Sequence, residues 1–312
     1  MNWLSEADGE NYLDLGEKMF GPNTHFRYDG EISFSHRDEE FMKLFELVSG
    51  LFQEKFSLRE YDILFIPGSG TVGMEAVIHS IKNKLYFPNR EGKFNQRWIS
   101  MAKKYSKLSY ENEDSLSVGC CLETSLSRHY QEEYEIIDCI SSFPYYPIKP
   151  ETKVFVTCCN KQIGSFVGLS IVGVRKDCWH LFDNCEIIDE NGEYSYLDLH
   201  RYKKYSSIFQ TPTTTAVHIF SHLVGVLGDF NLEGHRERIT TVSLELVKTI
   251  GEDNIIGDLA GPVITLSQDV IPKEISEKWS LYGGKNEGDP FQIFTYSSPI
   301  NEYLDFLDDL KN

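Results

Sequence analysis

Positive charge is scarce in this chain. Only 30 lysines and arginines stand against 48 aspartates and glutamates, a formal net charge of −18. A field of that sign repels duplex nucleic acid and anionic membrane at long range, so neither is expected as a partner. Net charge says nothing about a single cleft, and a small anionic ligand stays open. No apolar run approaches the ~20 residues needed to span a bilayer. The opening MNWLSEAD has neither the positive start nor the apolar stretch of a secretory signal, and the expectation is a cytoplasmic protein. The seven cysteines include the adjacent pairs Cys120-Cys121 and Cys158-Cys159 and no CxxC clamp. A disulfide framework and a zinc site are therefore both disfavoured, no metal is expected, and the cysteines read as small buried hydrophobes. Internal repeats, low-complexity segments and a Walker loop are also lacking.

What is present is the composition of a globular protein: 312 residues, 41% hydrophobic and 13% aromatic, enough for two domains of ordinary size. Residues 38–55 place Phe41, Leu44, Phe45, Val48 and Leu51 on one stripe at helical spacing. Residues 61–67 read as a buried strand, followed by the turn GSGT and a helix from about Val72 to Lys82. Further strand-length runs recur at 117–122, 134–140, 153–158 and 169–174, with helix-like segments between some of them. This alternation points to an α/β domain with a mostly parallel sheet. Helices are expected over 213–227 and 234–250, then short strands at 262–266 and 291–296 and an acidic helix at 299–310. The division implied is a large α/β domain over 1–230 and a small α+β domain over 231–312.

Local features along the large domain carry chemistry, and each has an ordinary reading beside it. The turn Gly68-Ser69-Gly70-Thr71 offers backbone N–H groups and hydroxyls at a helix N-terminus, a natural anion site, although it is also a common strand-to-helix turn. Asp138 ends an apolar strand at the edge where α/β sheets bind ligands, but an aspartate there also caps turns. Lys161, within CCNKQIGSFVGLS, follows another strand. A lysine so placed is usually a surface residue, yet one desolvated in a cleft becomes a nucleophile toward carbonyls. An anion cradle, an aspartate and a lysine in that chain order match the phosphate, ring nitrogen and aldehyde of pyridoxal phosphate.

On these and further segments the chain resembles the class V branch of the fold-type I pyridoxal-phosphate aminotransferases, especially the 2-aminoethylphosphonate, alanine–glyoxylate and phosphoserine enzymes. Glu17-Lys18-Met19-Phe20-Gly21-Pro22 is similar to that family's opening Gly-Pro segment, and Ser35-His36-Arg37 to its Ser-His-Arg stretch. The resemblance implies the fold-type I architecture, pyridoxal 5'-phosphate as cofactor, and transfer of an amino group between a small amine or amino acid and an oxo acceptor. It implies that Ser69, Gly70 and Thr71 cradle the phosphate and that Phe94, in GKFNQRW, stacks on the pyridine ring. Thr124, in LETS, would lie near the 3-oxygen. Asp138 would pair with the ring nitrogen, with Ile140 beside it, and Lys161, preceded by Asn160, would be the Schiff-base lysine and the proton carrier. Thr211, in the FQTPTT segment with Thr213, would reach the phosphate of the neighbouring subunit, which implies a homodimer.

The pattern departs in one place that bears on substrate. Where the family carries an arginine that clamps the substrate carboxylate, this chain reads Phe291-Gln292-Ile293-Phe294, and an amide cannot replace a charged bidentate fork. Arg37 or Arg97 would have to supply that charge, or the substrate presents another group; both arginines also read as surface or packing residues. Other pyridoxal-phosphate chemistry, such as decarboxylation or elimination, and a binding subunit without catalysis, stand as alternatives.

Overall fold

The computed structural model describes residues 39–182, 195–205, 217–286 and 288–311, which fall into two compact units meeting in sequence at Arg236 and Glu237. The first contains α1 (Glu39–Lys55), β1 (Tyr61–Pro67), α2 (Gly70–Ser80), β2 (Lys84–Tyr86), α3 (Lys93–Lys104), β3 (Leu108–Ser109) and β4 (Ser115–Cys120). A small hairpin of β5 (Leu122–Glu123) and β6 (Arg128–His129) follows, then β7 (Ile136–Asp138), β8 (Val154–Cys158), β9 (Leu169–Arg175), α4 (Leu199–Tyr205) and α5 (Val217–Asp229). The sequence boundary of the units falls within α6 (Leu232–Ile250).

Seven strands form the main sheet in the order β1-β9-β8-β7-β4-β2-β3. From β8 across β7, β4 and β2 to β3 every pairing is parallel. β9 runs antiparallel to both β8 and β1. The sheet is thus mostly parallel, as the alternation of elements implies, with one reversed strand. Its cause is the short 159–168 connection, which cannot make the crossover of a dozen or more residues that a parallel return needs.

Both faces of this sheet are covered, which is why its strands read as continuous apolar runs. Ile63 and Phe65 of β1, Phe155 of β8 and Ile171 of β9 pack on one side with α1 and α5. Leu64 and Ile66, Val154 and Val156, and Val172 and Val174 pack on the other with α2 and α3. On α1 the buried stripe is Phe41, Phe45, Val48 and Phe52. It meets Phe220 of α5 at ring-centroid distances of 5.5 Å from Phe41 and 5.1 Å from Phe45. Gly173 belongs to this packing, since a Cβ there would lie 2.0 Å from the fully buried Phe155 ring. Gly173→Ala is accordingly expected to cost about 1–3 kcal/mol by overpacking, read as a lower urea midpoint at unchanged slope.

In the second unit a four-stranded antiparallel sheet runs β10 (Ile255–Ile256), β11 (Val263–Leu266), β13 (Phe291–Phe294), β12 (Tyr282–Gly283). With it come α7 (Lys273–Lys278) and α8 (Ile300–Lys311). Val242 and Leu246 of α6, Ile264, Ile293, Tyr303 and Phe306 make its core. The six described cysteines are all buried and unbridged, as read from their spacing. Among the described residues no helix is long and apolar enough to cross a membrane.

Candidate active site

The C-terminal ends of β7 and β8, adjacent parallel strands, deliver the acid and the amine. β7 ends in Asp138, which is buried. Its Oδ1 accepts from Ile140 N at 2.9 Å and its Oδ2 from Trp98 Nε1 at 3.0 Å, with Cys120 Sγ 3.9 Å away. Burial pushes the Asp138 carboxyl above the usual carboxylate range; the Ile140 and Trp98 hydrogen bonds and the attraction of Lys161 oppose that shift.

Lys161 follows β8 in a turn closed by Gly164 N donating to Lys161 O at 3.0 Å. Its Nζ donates to Ser141 Oγ at 2.6 Å, and Thr124 Oγ1 donates to the same oxygen at 2.7 Å. Burial holds the Lys161 amine below the ordinary lysine range, Cys158 and Asp138 oppose this, and the Arg97 guanidinium adds to it. The amine also stands 5.9 Å from the centroid of the Phe94 ring. Asn160, just before it, is buried.

The N-terminus of α2 follows β1, whose C-terminal end lies at the same sheet edge as those of β7 and β8. Gly68 has a φ of +131°, a conformation that favours glycine, and its N–H donates to Gly168 O at 2.8 Å. Ser69 takes the cap position with an extended backbone, exposed, its side chain making no bond to its own helix. Gly70 lets Ile140 close on the helix, for a Cβ there would meet Ile140 Cδ1 at 2.6 Å. Thr71 Oγ1 accepts from Arg97 Nη1 at 3.0 Å, and the Arg97 guanidinium carbon lies 5.1 Å from the Phe94 ring centroid. The turn, Arg97, Phe94 and Lys161 are thereby linked in one continuous series of contacts.

Phe94 is set by a residue whose role the sequence reading missed. Glu123 is fully buried, and its carboxylate caps the start of α3. It accepts from Phe94 N at 3.2 Å, Asn95 N at 2.9 Å and Ser125 Oγ at 2.6 Å. Gly92, with a φ of +87°, makes room for it, since a Cβ there would lie 2.2 Å from Glu123 Cδ. Glu123→Ala would strand the buried Asn95 N–H and weaken the hold on the partly buried Phe94 N and Ser125 Oγ, with an expected loss of about 3 kcal/mol in urea unfolding; Glu123→Gln should lose less. Trp98, the donor to Asp138, and Ser141, the acceptor for Lys161, were also missed. Their partners lie far away in sequence, and the one local signal was the carboxylate of Glu123 beside Thr124.

Of the remaining candidates, Gln292 belongs to the second unit, where its Nε2 donates to Thr265 Oγ1 at 3.3 Å across β11 and β13. Arg37, Thr211 and Thr213 lie outside the described residues, as do the Gly-Pro and Ser-His-Arg segments.

The donor set fits pyridoxal phosphate. An amine held below its ordinary range by burial suits an aldehyde, and a buried carboxylate suits a ring nitrogen that carries a proton. Phe94 lies beside the amine, and a helix N-terminus with Arg97 suits a phosphate. Among the described residues no group of His, Cys, Asp or Glu could hold a metal ion.

No family model matches the sequence, and no curated protein matches it. Solved structures do resemble it. The chain is similar to an aspartate aminotransferase of subgroup IV from Thermus thermophilus, with 18% identity and a TM-score of 0.76 over 94% of this chain and 99% of that one. It is similar to an alanine–glyoxylate aminotransferase from Nostoc sp., with 15% identity and a TM-score of 0.76 over 95% and 94% of the two chains. A pyridoxal-phosphate-bound phosphoserine aminotransferase from Trichomonas vaginalis shares 16% identity at a TM-score of 0.72 over 93% of each chain. The chain therefore has the fold that these aminotransferases share.

Proposed function

We propose that the chain is a pyridoxal-phosphate-dependent aminotransferase of the class V type, moving an amino group between a small amine or amino acid and an oxo acceptor. The observation that carries this reading is the placement of Asp138 at the end of β7 and Lys161 just past the end of the adjacent parallel strand β8, with Phe94 beside the amine. The fold similarity supports it. When bound, pyridoxal phosphate supplies an aldehyde that condenses with amines and a ring that accepts the electron pair of a bond broken at the substrate α-carbon.

The chain's own residues would do the rest. Lys161 would hold the aldehyde and, with its amine free, would serve as the base that moves a proton at the substrate α-carbon. Asp138, oriented by Trp98 and Ile140, keeps the proton on the ring nitrogen. The N–H groups and hydroxyls of Ser69, Gly70 and Thr71, with Arg97 at Thr71, take the phosphate. Phe94 and Ile140 would bound the ring, Thr124 would contact the 3-oxygen, and Asn160, next to Lys161, would be a further cofactor contact. All of these belong to the large domain assigned to 1–230.

The same reading makes the protein a cytoplasmic homodimer in which Thr211 of one subunit reaches the phosphate site of the other, with Thr213 a further cofactor contact. It assigns the acid group of the substrate to Arg37, with Gln292 contributing an amide contact without charge. The test is an isotope exchange: ¹⁵N from a panel of amino donors, phosphonates included, should appear in the amino product of a 2-oxo acid acceptor. Loss of carbon dioxide or of a side-chain group with no label transferred would replace this reading with a lyase on the same residues. The uncharged Gln292 favours that second reading most.

A further inference from the structure

Ser141 is the hub of a buried polar chain around Lys161. Its hydroxyl oxygen accepts from Lys161 Nζ at 2.6 Å and from Thr124 Oγ1 at 2.7 Å, and its carbonyl accepts from Gln162 Nε2 at 2.6 Å. Gln162 Oε1 accepts in turn from Tyr145 N at 3.3 Å and faces His235 Nε2 at 3.0 Å. An amide oxygen only accepts, so His235 Nε2 carries the hydrogen in this arrangement. His235 itself is fixed on the first turn of α6, its N–H donating to Asn231 O at 2.9 Å and its ring 5.2 Å from Phe230. Thr124, Ser141, Gln162 and His235 are all buried. In such a chain, breaking one link strands a polar group away from water, so the links hold one another in place.

We propose that Ser141 is the positioning residue of Lys161: the hydroxyl oxygen that Lys161 shares with Thr124, braced through Gln162 by His235, fixes where the amine sits. The inference rests on Lys161 being the cofactor-holding amine. A lysine stem is flexible and loses rotamer freedom when ordered, and a fixed neutral acceptor selects one placement without an ion pair that would hold the amine charged. The charged and titratable groups acting on the amine are Asp138 from β7, Cys158 from β8 and Arg97 from α3. Ser141 joins Asp138 and Cys158 in favouring the ammonium, because a hydroxyl oxygen accepts from it.

The test reads the amine directly, on the full chain stripped of cofactor with hydroxylamine. Trace acetylation across a pH series, followed by peptide mass spectrometry, gives the pH of half-maximal labelling for each lysine. In Ser141→Ala the Lys161 midpoint should fall by about one pH unit, while Lys153, paired with Glu135 at 2.6 Å, keeps its own. Ser141→Thr retains the hydroxyl and should retain the wild-type midpoint. Gln162→Met, which loosens the brace, should lower it by less, and it carries the test alone if Ser141→Ala does not fold. A Lys161 midpoint unmoved in these variants overturns the proposal. Borohydride reduction of the wild-type chain with pyridoxal phosphate separates the two ideas: label on Lys161 with an unmoved midpoint removes Ser141's role alone. A moved midpoint without any label leaves Ser141 in place and removes the cofactor reading.

Discussion

Lys161→Ala is expected to abolish borohydride-stable attachment of pyridoxal phosphate and to lower amino-group transfer by about 10³-fold or more. The size follows from what the amine does. On the proposed reading it would be the nucleophile that holds the aldehyde and the base that moves the proton, and a positioned base alone contributes about 10²–10⁴-fold. Lys161→Arg is the sharper control, because it keeps a cation beside Ser141 but has no amine to condense and no accessible neutral form. Equal losses in both variants, with folding unchanged by circular dichroism, would tie the activity to the amine rather than to the charge. Retention of more than about a tenth of the wild-type rate in either variant would be incompatible with the assignment.

Asp138→Asn should be the second large effect, a loss of about 3–4 kcal/mol in transition-state stabilisation, or roughly 10²–10³-fold in kcat/KM. Asparagine keeps the shape, but its single oxygen can accept from only one of Trp98 Nε1 and Ile140 N, and it supplies no charge to a protonated ring nitrogen. The same variant has a signature in the cofactor-free chain. Burial raises the Asp138 carboxyl in the folded state, so the folded chain keeps this proton to higher pH than the unfolded chain does. The group's contribution to stability is complete below its ordinary value of about 3.9 and is lost as pH rises through the raised folded value. Asparagine does not titrate, so Asp138→Asn should gain on wild type between pH ~4 and neutrality in urea unfolding. A constant difference between the two proteins across that range would mean that Asp138 titrates as an ordinary exposed carboxylate.

How much of this was legible beforehand depended on the distance over which each contact is made. Asp138 and Lys161 could be found because an apolar run followed by a polar residue marks a strand end, and parallel strand ends gather at one edge. The Gly68–Thr71 turn was legible because a glycine-flanked hydroxyl pair between strand and helix is a local pattern. Trp98 was not, since its indole reaches a carboxylate from another element. Glu123, which caps α3 from β5, and Ser141 under Lys161 were hidden for the same reason, their partners coming from other elements. The stripe on α1 was read as including Leu44 and Leu51, whereas Phe52 is fully buried and those leucines only partly; helical spacing alone does not say how wide the covering surface is.

The direction of β9 was readable in principle, because the connection from β8 is too short for a crossover. Its apolar run, buried on both faces, looks the same in either direction. The very short strands β2 and β3 carry too few residues for any periodic signal. In the second unit, Gln292 shows the limit of motif comparison. Its position on β13 follows from the apolar alternation, but its bond to Thr265 depends on a register that sequence does not state.

The most direct measurement is reduction of the purified full chain with tritiated borohydride in the presence of pyridoxal phosphate, followed by mapping of the labelled peptide. The structure predicts one pyridoxyl group per chain, on Lys161, formed at cofactor concentrations that leave the exposed lysines untouched. A chain that takes up no label, or one labelled on its surface lysines while Lys161 stays unmodified, would contradict the account.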